Sequence, residues 1–339
     1  MPRVTRHPVL NRFLILAALL CASLSARGQQ NPLGNPTLPP PPGSTQNAQT
    51  DASHRIRTTV DLVVLHATVV NERGQFVPNL NPNNFRVFED KIEQKVSVFS
   101  REDIPVTMGL VIDNSGSMRE KRAQVNAAAL TFVKTSNPHD EVFVVNFNDE
   151  FYLDLEEDFT SDPKELDDAL ERIDSRGSTA LYDAIIGSLD HLKKGHKDKR
   201  VLLVITDGDD DASNKSLEYT LKAAQSSDAT IYTIGVFSDD DRKNDKKMVR
   251  HSKKVLTEIA EVTGGLAYFP DNLEEVEPVC TQAARDIRNQ YMLGYYPTNT
   301  ARDGSFRAVQ VQLVPPKGLS KLSVRTRAGY YAQRASASD

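Results

Sequence analysis

Cysteine is almost missing from this chain, which limits how the protein can hold itself together. The 339 residues contain two, Cys21 and Cys280, and the first lies in a segment that reads as an export leader. With that leader removed only Cys280 remains, so no intramolecular disulfide can form. The fold must then rest on its hydrophobic core. Cys280 falls inside a helical pattern and is expected to be a small buried core residue. A membrane-spanning run is lacking as well. The apolar stretch Phe13 to Leu20 is far shorter than the ~18–20 residues a spanning helix needs. A basic excess is also absent: 41 Lys+Arg face 46 Asp+Glu, a formal net charge of -5 at pH 7. That argues against a nucleic-acid binder, which needs a basic face for phosphates. Catalytic signatures are missing too: there is no Gly-x-Ser-x-Gly elbow, phosphate loop or His-Glu-x-x-His. The histidines are scattered, no pattern pairs a nucleophile with a base, and His66 reads as a structural strand residue. A non-enzymatic role is expected.

What is present divides the chain into five segments. Residues 1–28 read as a signal peptide: Arg3, Arg6 and Arg12 give a basic start, Phe13 to Leu20 the apolar run, and Ala26-Arg27-Gly28 the cleavage site. An exported protein follows, secreted or held in the periplasm or envelope, with no transmembrane helix in the mature chain. Leu20 stands before Cys21 where a lipoprotein signal has a small residue, which argues against lipid anchoring. Residues 29–54, with Pro39 to Pro42, are expected to be a disordered linker. Residues 55–103 and 291–334 read as β segments. In the second, Val309, Val311 and Leu313 alternate with Gln310 and Gln312, the mark of strands with one buried face. Neither β segment has enough strands to bury a core alone. The expectation is one shared β-sandwich; two unrelated appendages are the alternative.

Residues 104–290 alternate strand and helix, and the strands are apolar on both faces. The fold class this predicts is α/β. A doubly wound, mostly parallel, Rossmann-like sheet is inserted in, or flanked by, the small β-sandwich-like domain. Two of the parallel strands end in Asp113-Asn114-Ser115-Gly116-Ser117 and Thr206-Asp207-Gly208, and Thr179 precedes a helix at Leu181. The carboxyl edge of such a sheet is where ligands bind.

The pattern Asp113-x-Ser115-x-Ser117, followed by Thr179 and Thr206-Asp207-Gly208, resembles the metal-ion-dependent adhesion site of von Willebrand factor type A domains. The resemblance covers about residues 104–290. The flanking β segments and Gly329-Tyr330-Tyr331 resemble secreted bacterial proteins of that type. The resemblance implies an adhesion-type module. Ser115 and Ser117 would bind the metal directly and Thr179 directly or through water. Asp113 and Asp207 would act through waters and through hydrogen bonds to the ligand hydroxyls. Mg²⁺ suits oxygen donors in octahedral geometry; residue types alone do not select it over Mn²⁺ or Ca²⁺. Neutral hydroxyls leave the ion's charge uncancelled, so it still attracts an Asp or Glu carboxylate from a protein partner. The sequence names neither that partner nor the oligomeric state. A structural scaffold with a purely stabilising metal is the alternative.

Three weaker signals complete the reading. Asp207, Asp209, Asp211 and Glu218 imitate a calcium loop, but Ala212 stands where that loop needs glycine and a strand precedes it. Ser238 to His251 is highly charged and reads as a solvated loop or, more sharply, a rim that sorts partners. Lys193-Lys194 to Lys199-Arg200 reads as an exposed helix end.

Overall fold

A computed structural model of the chain describes residues 62–334, apart from 102, 136, 173, 174 and 320. The signal peptide (1–28), the linker (29–54) and the first residues of the N-terminal β segment lie outside the described residues.

The described chain begins with β1 (Val63–Val70), β2 (Phe85–Glu89), β3 (Ile92–Gln94) and β4 (Val96–Ser100). The tight turn between β2 and β3 places both Asp90 and Lys91 at positive φ, the twist that a two-residue hairpin requires. The middle follows: β5 (Val106–Asp113), α1 (Arg122–Lys134), β6 (Glu141–Phe147), β7 (Phe151–Leu153), α2 (Pro163–Glu171), α3 (Leu181–Leu192) and β8 (Lys199–Thr206). Next come α4 (Leu217–Ser226), β9 (Ala229–Gly235), α5 (Asp239–Asn244), α6 (Lys246–Glu261), β10 (Ala267–Tyr268) and α7 (Val276–Arg288). The chain closes with β11 (Tyr291–Tyr295), β12 (Phe306–Leu313), β13 (Ser323–Arg325) and β14 (Gly329–Tyr331).

The central sheet has the order β10-β9-β8-β5-β6-β7. Its first five strands are parallel and β7 is an antiparallel edge. The inner strands β9, β8, β5 and β6 are buried on both sides almost throughout, which explains their apolar text. Phe132, Leu166 and Ile287 of α1, α2 and α7 cover one face. Ile185, Ala224 and Ile259 of α3, α4 and α6 cover the other. The chain passes from β5 outward to β6 and β7, then returns to place β8 on the other side of β5. That reversal opens a crevice between the carboxyl ends of β5 and β8.

Two four-stranded antiparallel sheets flank this layer, ordered β13-β1-β11-β4 and β14-β12-β2-β3. Each mixes strands from before and after the central sheet, and Leu65, Val87, Leu293 and Val311 share one core. Tyr291 anchors that core: its hydroxyl donates to the Val77 carbonyl at 2.6 Å and accepts from the Leu80 amide at 3.1 Å. On the opposite face of β1, Thr68 is buried and its hydroxyl accepts from Gln290 at 3.3 Å, whereas Val64 and His66 are half-buried.

The structure departs from the sequence reading in two charged stretches. Ser238 to His251 is helical: Ser238 and Asp241 form a reciprocal capping box for α5, and Asp245 caps α6. Acids at the start of α5 and bases at its end also suit the helix dipole. Lys199 is no exposed helix end. It opens β8, is buried, and its ammonium donates to the Ile287 carbonyl.

Candidate functional site

The site is built from backbone register. Ile112 of β5 lies opposite Ile205 of β8, so Asp113 and Thr206 leave the sheet side by side. The Asp113 carboxylate accepts the Ser115 amide at 2.8 Å on one oxygen and the Thr206 hydroxyl at 2.6 Å on the other. Thr206 in turn accepts the Gly208 amide at 2.9 Å. Both loops are thereby fixed to one carboxylate. The fold back over Asp113 brings the Ser115 and Ser117 hydroxyls to 3.1 Å apart, with Ser115 buried and Ser117 exposed. Asn114 holds the loop from below by donating to Asn146 of β6 at 2.6 Å.

The Thr179 loop is pinned between these two. Gly116 donates its amide to the Gly177 carbonyl at 3.0 Å, and Arg176 donates to the Asn114 carbonyl at 2.9 Å. On the other side the Thr179 amide donates to Asp211 at 2.7 Å, and its carbonyl accepts the Asp211 and Ala212 amides, both at 3.1 Å. The acids after Asp207 are thus used as loop anchors: Asp211 holds Thr179, and Asp210 accepts the Tyr182 amide at 3.1 Å. All five motif residues sit on three mutually hydrogen-bonded loops at one sheet edge.

The electrostatics are acidic. Asp113 and Asp207 are both buried. Burial first, and then the charge of Asp207, pushes the Asp113 carboxyl up to about 7. One cation is already present. Lys121, only 3% exposed, places its ammonium 3.3 Å from Asp207 and 3.0 Å from Asp241. Burial raises Asp241, but the Lys121 contact and the Ser238 donors outweigh it and hold the carboxyl below its ordinary range. Two carboxylates, Asp207 and Asp241, therefore face one ammonium, and the raised Asp113 carboxyl is a third acid at the same edge, so the edge stays acidic after the Lys121 contacts are counted.

Residues 108–209 match the family model described as von Willebrand factor type A domain, a span that contains all five motif positions. The middle of this chain is a von Willebrand factor type A domain. No curated protein sequence matches the chain. Several solved structures resemble it distantly. BatB from Bacteroides thetaiotaomicron is 20% identical, with 54% of this chain and 98% of that chain covered at a TM-score of 0.43. For the corresponding domain of the type V pili tip protein Mfa5 from Porphyromonas gingivalis the values are 11%, 55%, 95% and 0.44. For the von Willebrand factor type A protein from Catenulispora acidiphila they are 12%, 81%, 75% and 0.47. These similarities are too distant to transfer a ligand or a partner.

Sequence reasoning quoted Thr206 without giving it a role, and it missed Lys121 and Asp241 at this von Willebrand factor type A site. Thr206 fixes Asp113, Lys121 neutralises part of the charge of Asp207, and Asp241 ties Lys121 to α5. Nothing local marks Lys121, which sits in Arg119-Glu120-Lys121-Arg122. It stands at the N-cap of α1, just after a 3-10 turn at Gly116–Met118, and is buried there. Among the described residues, no group of three or more His, Cys, Asp or Glu side chains is placed to hold a metal. The donors on offer at the von Willebrand factor type A edge are hydroxyls backed by two carboxylates. That set suits a hard, oxygen-seeking cation better than zinc, which prefers His and Cys.

Proposed function

We propose that the von Willebrand factor type A domain binds a protein partner through a divalent cation, Mg²⁺ in the first instance, on an exported protein. The observation that carries this reading is the Ser115–Ser117 hydroxyl pair set above two buried carboxylates at the sheet's switch point. Ser115, Ser117 and Thr179 would hold the ion. Asp113 and Asp207 would orient the hydroxyls and balance part of its charge, the usual role of an outer shell. The ion would supply an electrophilic centre for an Asp or Glu carboxylate of the partner. Ser117 is exposed, so the edge is open to such an acid. Among the described residues, no helix is long and apolar enough to cross a membrane.

The test is partner capture from envelope extracts in Mg²⁺ and in EDTA, with wild type and Asp113→Ala. Capture in Mg²⁺ that is lost both on chelation and in the variant supports the proposal. Capture that survives EDTA overturns it. One observation favours a second reading, a scaffold in which the metal only stiffens the edge: Asp207 already has an ammonium partner in Lys121. In that case chelation lowers the melting temperature and leaves partner binding unchanged.

A further inference from the structure

A cleft of about 770 Å³ lies at the other end of the central sheet, where β8 and β9 begin against β1 and the β11–β14 region. Its size falls within the ~300–1,000 Å³ range of small-molecule sites. Val64, Met292 and Tyr330 give it apolar walls, and Arg200 and Arg327 line it together with His66.

The two arginines are not equivalent. Arg327 is satisfied in part: it donates to the Val64 carbonyl at 2.9 Å and pairs with Asp228 at 3.3 Å. Arg200 makes no side-chain hydrogen bond or ion pair among the described residues, and its Nε is buried. The remaining lining carboxylate, Asp198, is exposed and forms no ion pair with it. A half-buried guanidinium without an anion is costly, and its planar fork matches a carboxylate in bidentate fashion. The local field is positive. Burial first, and then the charges of Lys199 and Arg327, push the His66 imidazole down to about 3, so it is neutral.

We infer that this cleft is a binding site for a small organic monocarboxylate with an apolar body. The carboxylate pairs with Arg200 and the body lies along Val64, Met292 and Tyr330. The inference is independent of the metal-site reading, since it uses no residue of that edge.

The experiment is calorimetric titration of the full chain with decanoate, decan-1-ol and inorganic phosphate. Saturable decanoate binding that exceeds binding of the neutral alcohol and of phosphate is expected. It should weaken roughly tenfold or more in Arg200→Met, as loss of a charged hydrogen-bond pair implies. It should weaken less in Arg200→Lys, which keeps the charge but not the fork, and stay unchanged in Asp113→Ala. If Arg200→Met does not fold, Met292→Trp, which fills the apolar wall, is expected to block binding with Arg200 intact. Absence of decanoate binding to wild type, equal binding of alcohol and acid, preference for phosphate, or unchanged affinity in the Arg200 or Met292 variants overturns the inference.

Discussion

Two buried lysines show how one residue type takes opposite parts. Lys121 lies between two carboxylates at the candidate site, where its charge opposes any added cation. Lys121→Met is therefore expected to tighten Mg²⁺ binding, by roughly tenfold given the strength of charge pairs in a protein interior. Titration calorimetry reads the change, and equal or weaker affinity would contradict it. Lys199 is in the reverse situation. Burial, which outweighs the pull of Asp103 and Asp140, pushes its ammonium down to about 7. Between that value and the ordinary one near ~10.4, the unfolded chain carries a proton that the folded chain lacks. Stability contributed by this group therefore rises with pH across the interval and falls as pH drops toward 7. Urea melts at pH 7 and pH 9 should show a gain of about 2 kcal/mol for wild type relative to Lys199→Met. A flat difference would remove this role.

At the scale of loops and helices, the candidate site depends on segments that make no contribution of their own to its chemistry. Gly177 adopts φ +77, and a Cβ there would run into the Asp149 carboxylate. Gly177→Ala should displace the Thr179 loop and weaken Mg²⁺ binding while leaving the circular dichroism spectrum unchanged; retained affinity would show that the loop is not needed. The helix α5 depends on its capping box, and Ser238→Ala should cost about 1 kcal/mol in denaturant melts. These elements differ in how legible they are from sequence. β5 and β8 can be read because a buried parallel strand is a short apolar run ended by turn residues, and the run fixes Asp113 and Asp207 at the strand ends. The helical nature of Ser238 to His251 is harder to see. Its charges resemble those of a loop, and the stripe that buries α6, from Val249 through Val255, Leu256 and Ile259, emerges only when the window reaches past His251. The burial of Arg200 and Lys199 has no local signal at all, since it depends on which remote strands cover the start of β8.

At the scale of the whole molecule, β2 depends on a distant part of the chain. Among the described residues its strand partners are the short β3 and the C-terminal β12. A chain ending at Tyr295 should therefore expose residues 85–94 to protease while the central sheet, whose strands pair among themselves, resists. Continued protection of those residues would show that the flanking β segments stand independently. The two ends of the central sheet are then free for separate uses. The acidic edge carries the hydroxyl pair and the opposite end carries Arg200. Partner binding through a cation rests on the first of these. The most direct measurement is a crystal structure grown in millimolar Mg²⁺. The prediction is one cation bound by the Ser115 and Ser117 hydroxyls at about 2.1 Å, the usual Mg–oxygen distance, with Asp113 and Asp207 behind them. An edge without a cation, or with Lys121 occupying the space between Ser115 and Asp207, would contradict it.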